Sequence, residues 1–146
     1  MKQVAAELLA WRARGDRVAI ATVVRVTGSA PRPHGATLLA APGPRIAGSV
    51  SNGCVEADVY ESALAVLESG TARVIRYGIS DELAFTVGLS CGGQIDVLVE
   101  PVTTLHEQVA AAVRAGRSAV LASLIAPEGR AGTRAAWIDG APVEGS

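Results

Sequence analysis

From residue 15 onward the sequence switches repeatedly between extended, β-branched runs and stretches with helical spacing, and glycine or proline marks most of the switches. The best helical stretch sets Val55, Val59, Ser62, Ala63, Val66 and Leu67 at helical spacing and ends at Gly70, a favoured C-terminal residue. A first helix carries Ala5, Leu8 and Leu9 and stops near Gly15. A third covers about residues 105–115, where Thr104 and Glu107 form a capping-box pattern. VAIATVVRVTG, at 18–28, is almost continuously apolar at its start, as in a strand covered on both faces. ATLLAA and RIAGSV read as short strands joined at PGP, and ARVIRYG, QIDVLVEP, SAVLASLIA and TRAAWID supply four more. SDELAFTVGLSCGG reads as irregular or partly helical, and the tail GAPVEGS as the place where a further domain would begin. Strands and helices alternate without segregating, which predicts an α/β or α+β fold: a single domain with a mixed β-sheet flanked by about three helices.

The length of 146 residues suits one core. Hydrophobic residues make up 49% of the chain and charged residues 18%, a balance that excludes disorder. A net charge of −1 gives no basic field for nucleic acid, and 3% aromatics gives few platforms for stacking single strands. No apolar run reaches the roughly 20 residues of a membrane span. The opening MKQVAAELLAWRARGDR has Glu7 inside its apolar part and reads as an amphipathic helix, not a signal peptide. The expectation is a cytoplasmic protein with reduced thiols and neither nucleic-acid nor membrane partners.

The sequence contains no G-x-G-x-x-G and no P-loop, and the serine in GSVSNG is misplaced for a nucleophile elbow. Cys54, Cys91, His34 and His106 lack zinc-site spacing. His34 reads as an exposed loop residue and His106 as a helix-start residue without special role. Two cysteines remain, in SNGCVE and GLSCGGQ. With Ser51 or Asn52 as N-cap, Cys54 falls in the first turn of the helix, where free N–H groups and the helix dipole favour a thiolate. Gly48 and Gly53 permit tight turns and close approach of an anion to the main chain. Glu56 either acts as a base or favours the helix N-terminus. Cys91, flanked by Gly88, Gly92 and Gly93, reads equally as a turn thiol or a functional one. Arg32 in SAPRPHG can form a bidentate phosphate contact.

VTGSAPRPHGATLL, GSVSNGCVE and VGLSCGGQIDVLVEP, in that order and spacing, resemble the XdhC/CoxI family of accessory proteins for molybdenum hydroxylases. The resemblance implies one family domain over residues 1–146, without the Rossmann domain that follows in longer relatives. It implies a maturation factor, not a turnover enzyme, that holds the molybdenum cofactor (molybdopterin) as cargo for sulfuration and insertion. Cofactor-binding residues on this reading are Cys54, Cys91, Gly48, Ser51, Asn52, Gly53, Gly92, Gly93 and Arg32, with the two thiols as molybdenum contacts. Asn52 stands where the family commonly has glycine; it tolerates left-handed angles. The implied partners are a molybdenum hydroxylase apoenzyme, a cysteine desulfurase, a separately encoded Rossmann half and a second copy of the chain. The alternatives are a sulfur-transfer protein carrying persulfide on Cys54, and a docking module that binds no cofactor.

Overall fold

The computed structural model describes residues 1–78 and 92–145. Strand β1 (Ala19–Thr27) is the centre around which the rest is laid. Beside it lie β2 (Thr37–Ala41) and, beyond, β3 (Arg45–Gly48); on its other side lies β5 (Gln94–Pro101), with β4 (Arg73–Gly78) at that edge. The order is β3-β2-β1-β5-β4, and every neighbouring pair is antiparallel.

Alternation along the strands divides the core in two. Ala19, Ala21 and Val23 of β1, with Ile95, Val97 and Val99 of β5, face helix α2 (Glu56–Ser69), which supplies Val59, Ala63 and Val66. Ile20 and Leu39 point the other way and meet Val4 and Leu8 of the α1 (Ala5–Ala13) region. The start of β1 is therefore covered on both faces, as its unbroken apolar run predicts. Each Leu or Val fully buried here contributes about 1.5–3 kcal/mol.

Helix α3 (Thr104–Arg114) carries a second sheet on Leu105 and Val109, which pack against Ala136. That sheet is β6 (Ala119–Ser123), β7 (Arg134–Ile138) and β8 (Ala141–Val143), again antiparallel. Its outer face is apolar and open: Val120 pairs with Trp137, and they are 55% and 37% exposed. Trp11 of α1 is half-buried under Arg45, whose guanidinium carbon lies 5.1 Å from the ring centre.

The combination of three helices with strands in one chain matches the expected class. The strands do not share one mixed sheet, however; they form two antiparallel ones, because β1, β2 and β3 are joined by short loops and β5 enters between β1 and β4. Strand β8 falls in the GAPVEGS tail, read from the sequence as the place where a further domain would begin; it is three residues long and contains Pro142, tolerable because β8 is an edge strand. The N-cap of α3 is Thr103, one residue earlier than the Thr104 pattern, and the residue that reaches back is His106, whose Nδ1 accepts the Thr103 N–H at 3.1 Å. Among the described residues no helix is long and apolar enough to cross a membrane.

Candidate functional site

The C-terminal ends of β1 and β3, the N-terminal ends of β2 and β5 and the start of α2 lie together at one end of the large sheet, because antiparallel neighbours alternate direction. The loops leaving these ends carry most of the sequence-predicted site. Two close approaches fix them. A Cβ on Gly93 would lie 1.6 Å from the Ser29 carbonyl oxygen, so only glycine lets the 28–29 turn settle on the start of β5. Gly48 has φ +79°, and a Cβ there would meet the Thr37 carbonyl oxygen at 2.3 Å. That carbonyl accepts the Ser49 N–H at 3.0 Å as the chain leaves β3. Asn52 donates from Nδ2 to the Pro31 carbonyl at 3.3 Å, joining the Arg32 loop to the glycine-rich loop.

Between β3 and α2 the chain wraps around its own side chain. Glu56, the first residue of α2, accepts at Oε1 from Ser49 Oγ (2.8 Å) and the N–H groups of Val50 (3.1 Å) and Ser51 (2.9 Å). Its Oε2 accepts from Ser51 Oγ (2.5 Å) and the Gly53 N–H (2.9 Å). Ser51, fully buried, also accepts the Val55 N–H at 2.9 Å. Burial raises the Glu56 pKa, but the hydrogen bonds from Ser51, Ser49 and the backbone of Ser51 and Gly53 outweigh it and bring it down from 4.5 to about 2. The anion cradle expected of this loop exists, and the chain's own carboxylate fills it. Glu56 stands in the first turn of α2, where the helix-N-terminus reading puts it, and is also the peg that shapes the loop.

Helix α2 begins at Glu56 with Val55 as N-cap, so Cys54 lies just before the helix and not in its first turn. Ser51 and Asn52 do not cap it; Asn52 instead takes φ +55°, which allows the turn. Cys54 is half-buried and packs with Val26 and Ala30 against the core under α2. Gly53 and Gly92 are exposed and Gly93 is buried. Arg32 is half-buried; Nη2 donates to Gln3 Oε1 at 2.9 Å, and Nε is buried without a hydrogen-bond partner among the described residues. Cys91 lies outside the described residues, as does most of the segment read as irregular. The structure therefore brings together Arg32, Gly48, Ser51, Asn52, Gly53, Cys54, Gly92 and Gly93. No group of three or more potential metal ligands occurs among the described residues.

A second polar cluster escapes the sequence reading. Glu100 on β5, 3% exposed, accepts from His106 Nε2 (3.3 Å), Ser123 Oγ (3.3 Å) and Arg134 Nη2 (2.7 Å). Because His106 Nδ1 accepts the Thr103 N–H, the neutral ring carries its proton on Nε2, toward Glu100. Burial pushes the Glu100 pKa up, yet His106 and Arg134 outweigh it and the net shift is downward. Thr-Thr-Leu-His, with an imidazole at the third helical position, is the available signal; nothing local announces Arg134.

By fold and site this is a small two-sheet α/β domain with a thiol held beside a self-filled glycine-rich cradle. The XdhC and CoxI family model matches residues 11–78, so that segment is similar to the XdhC and CoxI family. The chain is 37% identical over 90 residues to a Bacillus subtilis protein named as a probable xanthine dehydrogenase component, covering 60% of this chain and 27% of that protein. It is 39% identical over 93 residues to "Molybdenum cofactor insertion chaperone PaoD" of Escherichia coli, covering 64% of this chain and 27% of that one. Among solved structures, a xanthine dehydrogenase from Bacillus halodurans superposes with a TM-score of 0.76 at 29% identity, over 92% of this chain and 42% of that one. The match thus spans about a quarter of each curated relative and under half of the solved chain.

Proposed function

We propose that this chain is an accessory factor that holds the molybdenum cofactor as cargo and delivers it to a molybdenum hydroxylase apoenzyme, with Cys54 as a sulfur contact. The observation that carries the reading is the convergence of the Arg32 loop, the glycine-rich loop of Cys54 and the Gly92-Gly93 turn at one end of the sheet. The family match and a relative named as a cofactor insertion chaperone support it.

The donor set fits the cargo in a modified way. Main-chain N–H groups of residues 50, 51 and 53 are committed to Glu56, so a cofactor phosphate would go to Arg32, whose Nε has no acceptor among the described residues, and not to the helix start. Cys54 offers a soft ligand on a partly exposed loop, suited to sulfur-ligated molybdenum. The cargo supplies its metal centre; the chain orients it with Cys54, Arg32 and the loop glycines and limits water access. Cys91 belongs to the same proposal as the second thiol. So do three partners: a cysteine desulfurase that sulfurates the cargo, a second copy of this chain, and a separate Rossmann partner.

Metal and pterin analysis of protein co-produced with cofactor biosynthesis tests the reading. Wild type should carry molybdenum and pterin in a ratio near unity, and Cys54→Ala should lose most of both. Equal retention by Cys54→Ala/Cys91→Ala would sink the thiol role. An added sulfur on Cys54 after incubation with a cysteine desulfurase, without cofactor capture, would favour sulfur transfer instead.

A further inference from the structure

Two adjoining cavities share Met1 and Gly35 as walls. The first, about 290 Å³, runs along Lys2, Gln3, Arg32 and His34. None of its walls is acidic. Arg32 brings a buried Nε–H with no acceptor among the described residues. His34 accepts the Val26 N–H at Nε2 (3.2 Å), so its neutral ring keeps Nδ1 as a donor. An ammonium, a guanidinium and an imidazole N–H around one hollow select an anion with several acceptor oxygens, such as a phosphate.

The second cavity, about 250 Å³, lies between the large sheet and α3. Ile20, Val109 and Leu121 give it apolar walls, while Thr22, Thr37 and His106 add polar edges. Glu100 also reaches it, but its oxygens are already engaged by His106, Ser123 and Arg134. Apolar faces with hydroxyls at the margin suit a flat, polar ring. Each hollow alone falls just under the ~300–1,000 Å³ of a small-molecule site, and the pair together falls inside that range.

We propose that the two cavities form one site for a phosphorylated planar heterocycle, with the phosphate on Arg32, Lys2 and His34 and the ring between Ile20 and Val109. The inference rests on the cofactor reading only for the source of the ligand, since a pterin phosphate and a purine nucleotide share this chemistry. Asn52 bonded to Pro31 sets the phosphate end next to the Cys54 loop, and a pyranopterin carries its phosphate and its dithiolene sulfurs at the same end.

Calorimetric titration of the full chain with neopterin monophosphate, GMP, guanosine and inorganic phosphate tests it. At least one phosphorylated ring should saturate a single site, binding roughly tenfold or more tighter than guanosine or phosphate alone. Arg32→Gln should weaken it by roughly tenfold or more. Leu121→Trp, which fills the second hollow, should reduce affinity to that of phosphate alone. Tighter binding of the pterin points to the cofactor as source, tighter binding of GMP to a nucleotide. No saturable binding of either phosphorylated ring, or undiminished binding by Arg32→Gln, overturns the proposal. If cofactor capture persists in Arg32→Gln and Leu121→Trp while depending on Cys54, this inference fails and the cofactor reading stands. If phosphorylated rings bind but capture ignores Cys54, the thiol reading fails and this site stands.

Discussion

Glu56 and Glu100 are both wrapped in hydrogen-bond donors, and the wrappings differ in kind. Glu56 is held by neutral groups, hydroxyls and main-chain N–H, all within eight residues of chain. Glu100 is held by an arginine and a histidine from β7 and α3, and by Ser123 of β6. The first carboxylate orders one loop; the second clasps three elements across the joint between the two sheets. A carboxylate satisfied locally shapes a site, whereas one satisfied by distant charges holds an assembly of elements in place.

The sharpest way to break the comparison is to remove a charge from the joint. Arg134→Ala leaves Glu100 buried without its guanidinium partner and should cost about 3–5 kcal/mol in denaturant unfolding. A loss below that of Glu56→Ala would mean the joint is not the costlier of the two to disrupt.

Glu56→Ala strands donors in a partly solvated loop and should cost about 1–3 kcal/mol. It also tests the pH behaviour. The folded pKa is depressed, so the stability Glu56 contributes is present above its ordinary value of 4.5 and is lost as pH falls toward about 2. Stability curves measured from pH 6 to 2 should therefore descend less steeply over that window in Glu56→Ala, with the remaining acid sensitivity coming partly from Glu100. An unchanged slope would count against the cradle.

Gly48→Ala forces a side chain onto a positive-φ residue against the Thr37 carbonyl and should cost about 1–2 kcal/mol from backbone strain alone, before the clash is relieved. Thermal melts would read it. The smallest effect is expected of Asn52→Gly: easing the φ of +55° offsets the lost bond to Pro31 and the looser unfolded chain, so stability should change by no more than about 0.5 kcal/mol. A larger loss would show that the tie between the two loops matters more than the turn.

Local pattern accounts for what is legible in the sequence. The α2 stripe of Val59, Ala63 and Val66, its stop at Gly70 and the apolar start of β1 are each written in neighbouring residues, and they appear where expected. Direction and long-range pairing are not: nothing near β5 says that it enters between β1 and β4, which is why the sequence suggests one mixed sheet. The start of α2 is misplaced by local pattern because Ser51 and Asn52 are good caps in isolation, while Glu56 reaching backward recruits Ser51 for the cradle. The capping position of His106 has a local sign in Thr-Thr-Leu-His, but its tie to Glu100 has none, because that depends on how α3 meets the sheet. Cradle, glycines and the Arg32 loop are legible as a group; the joint at Glu100 is not.

The two tryptophans sit one on each side of that joint. Trp11 lies half-buried beneath a guanidinium on the large-sheet side, and Trp137 stands on the open face of the small sheet. Iodide should therefore quench the redder emission of Trp137 first, giving the two sheets separate optical signatures by which loosening of one can be followed without labelling the other.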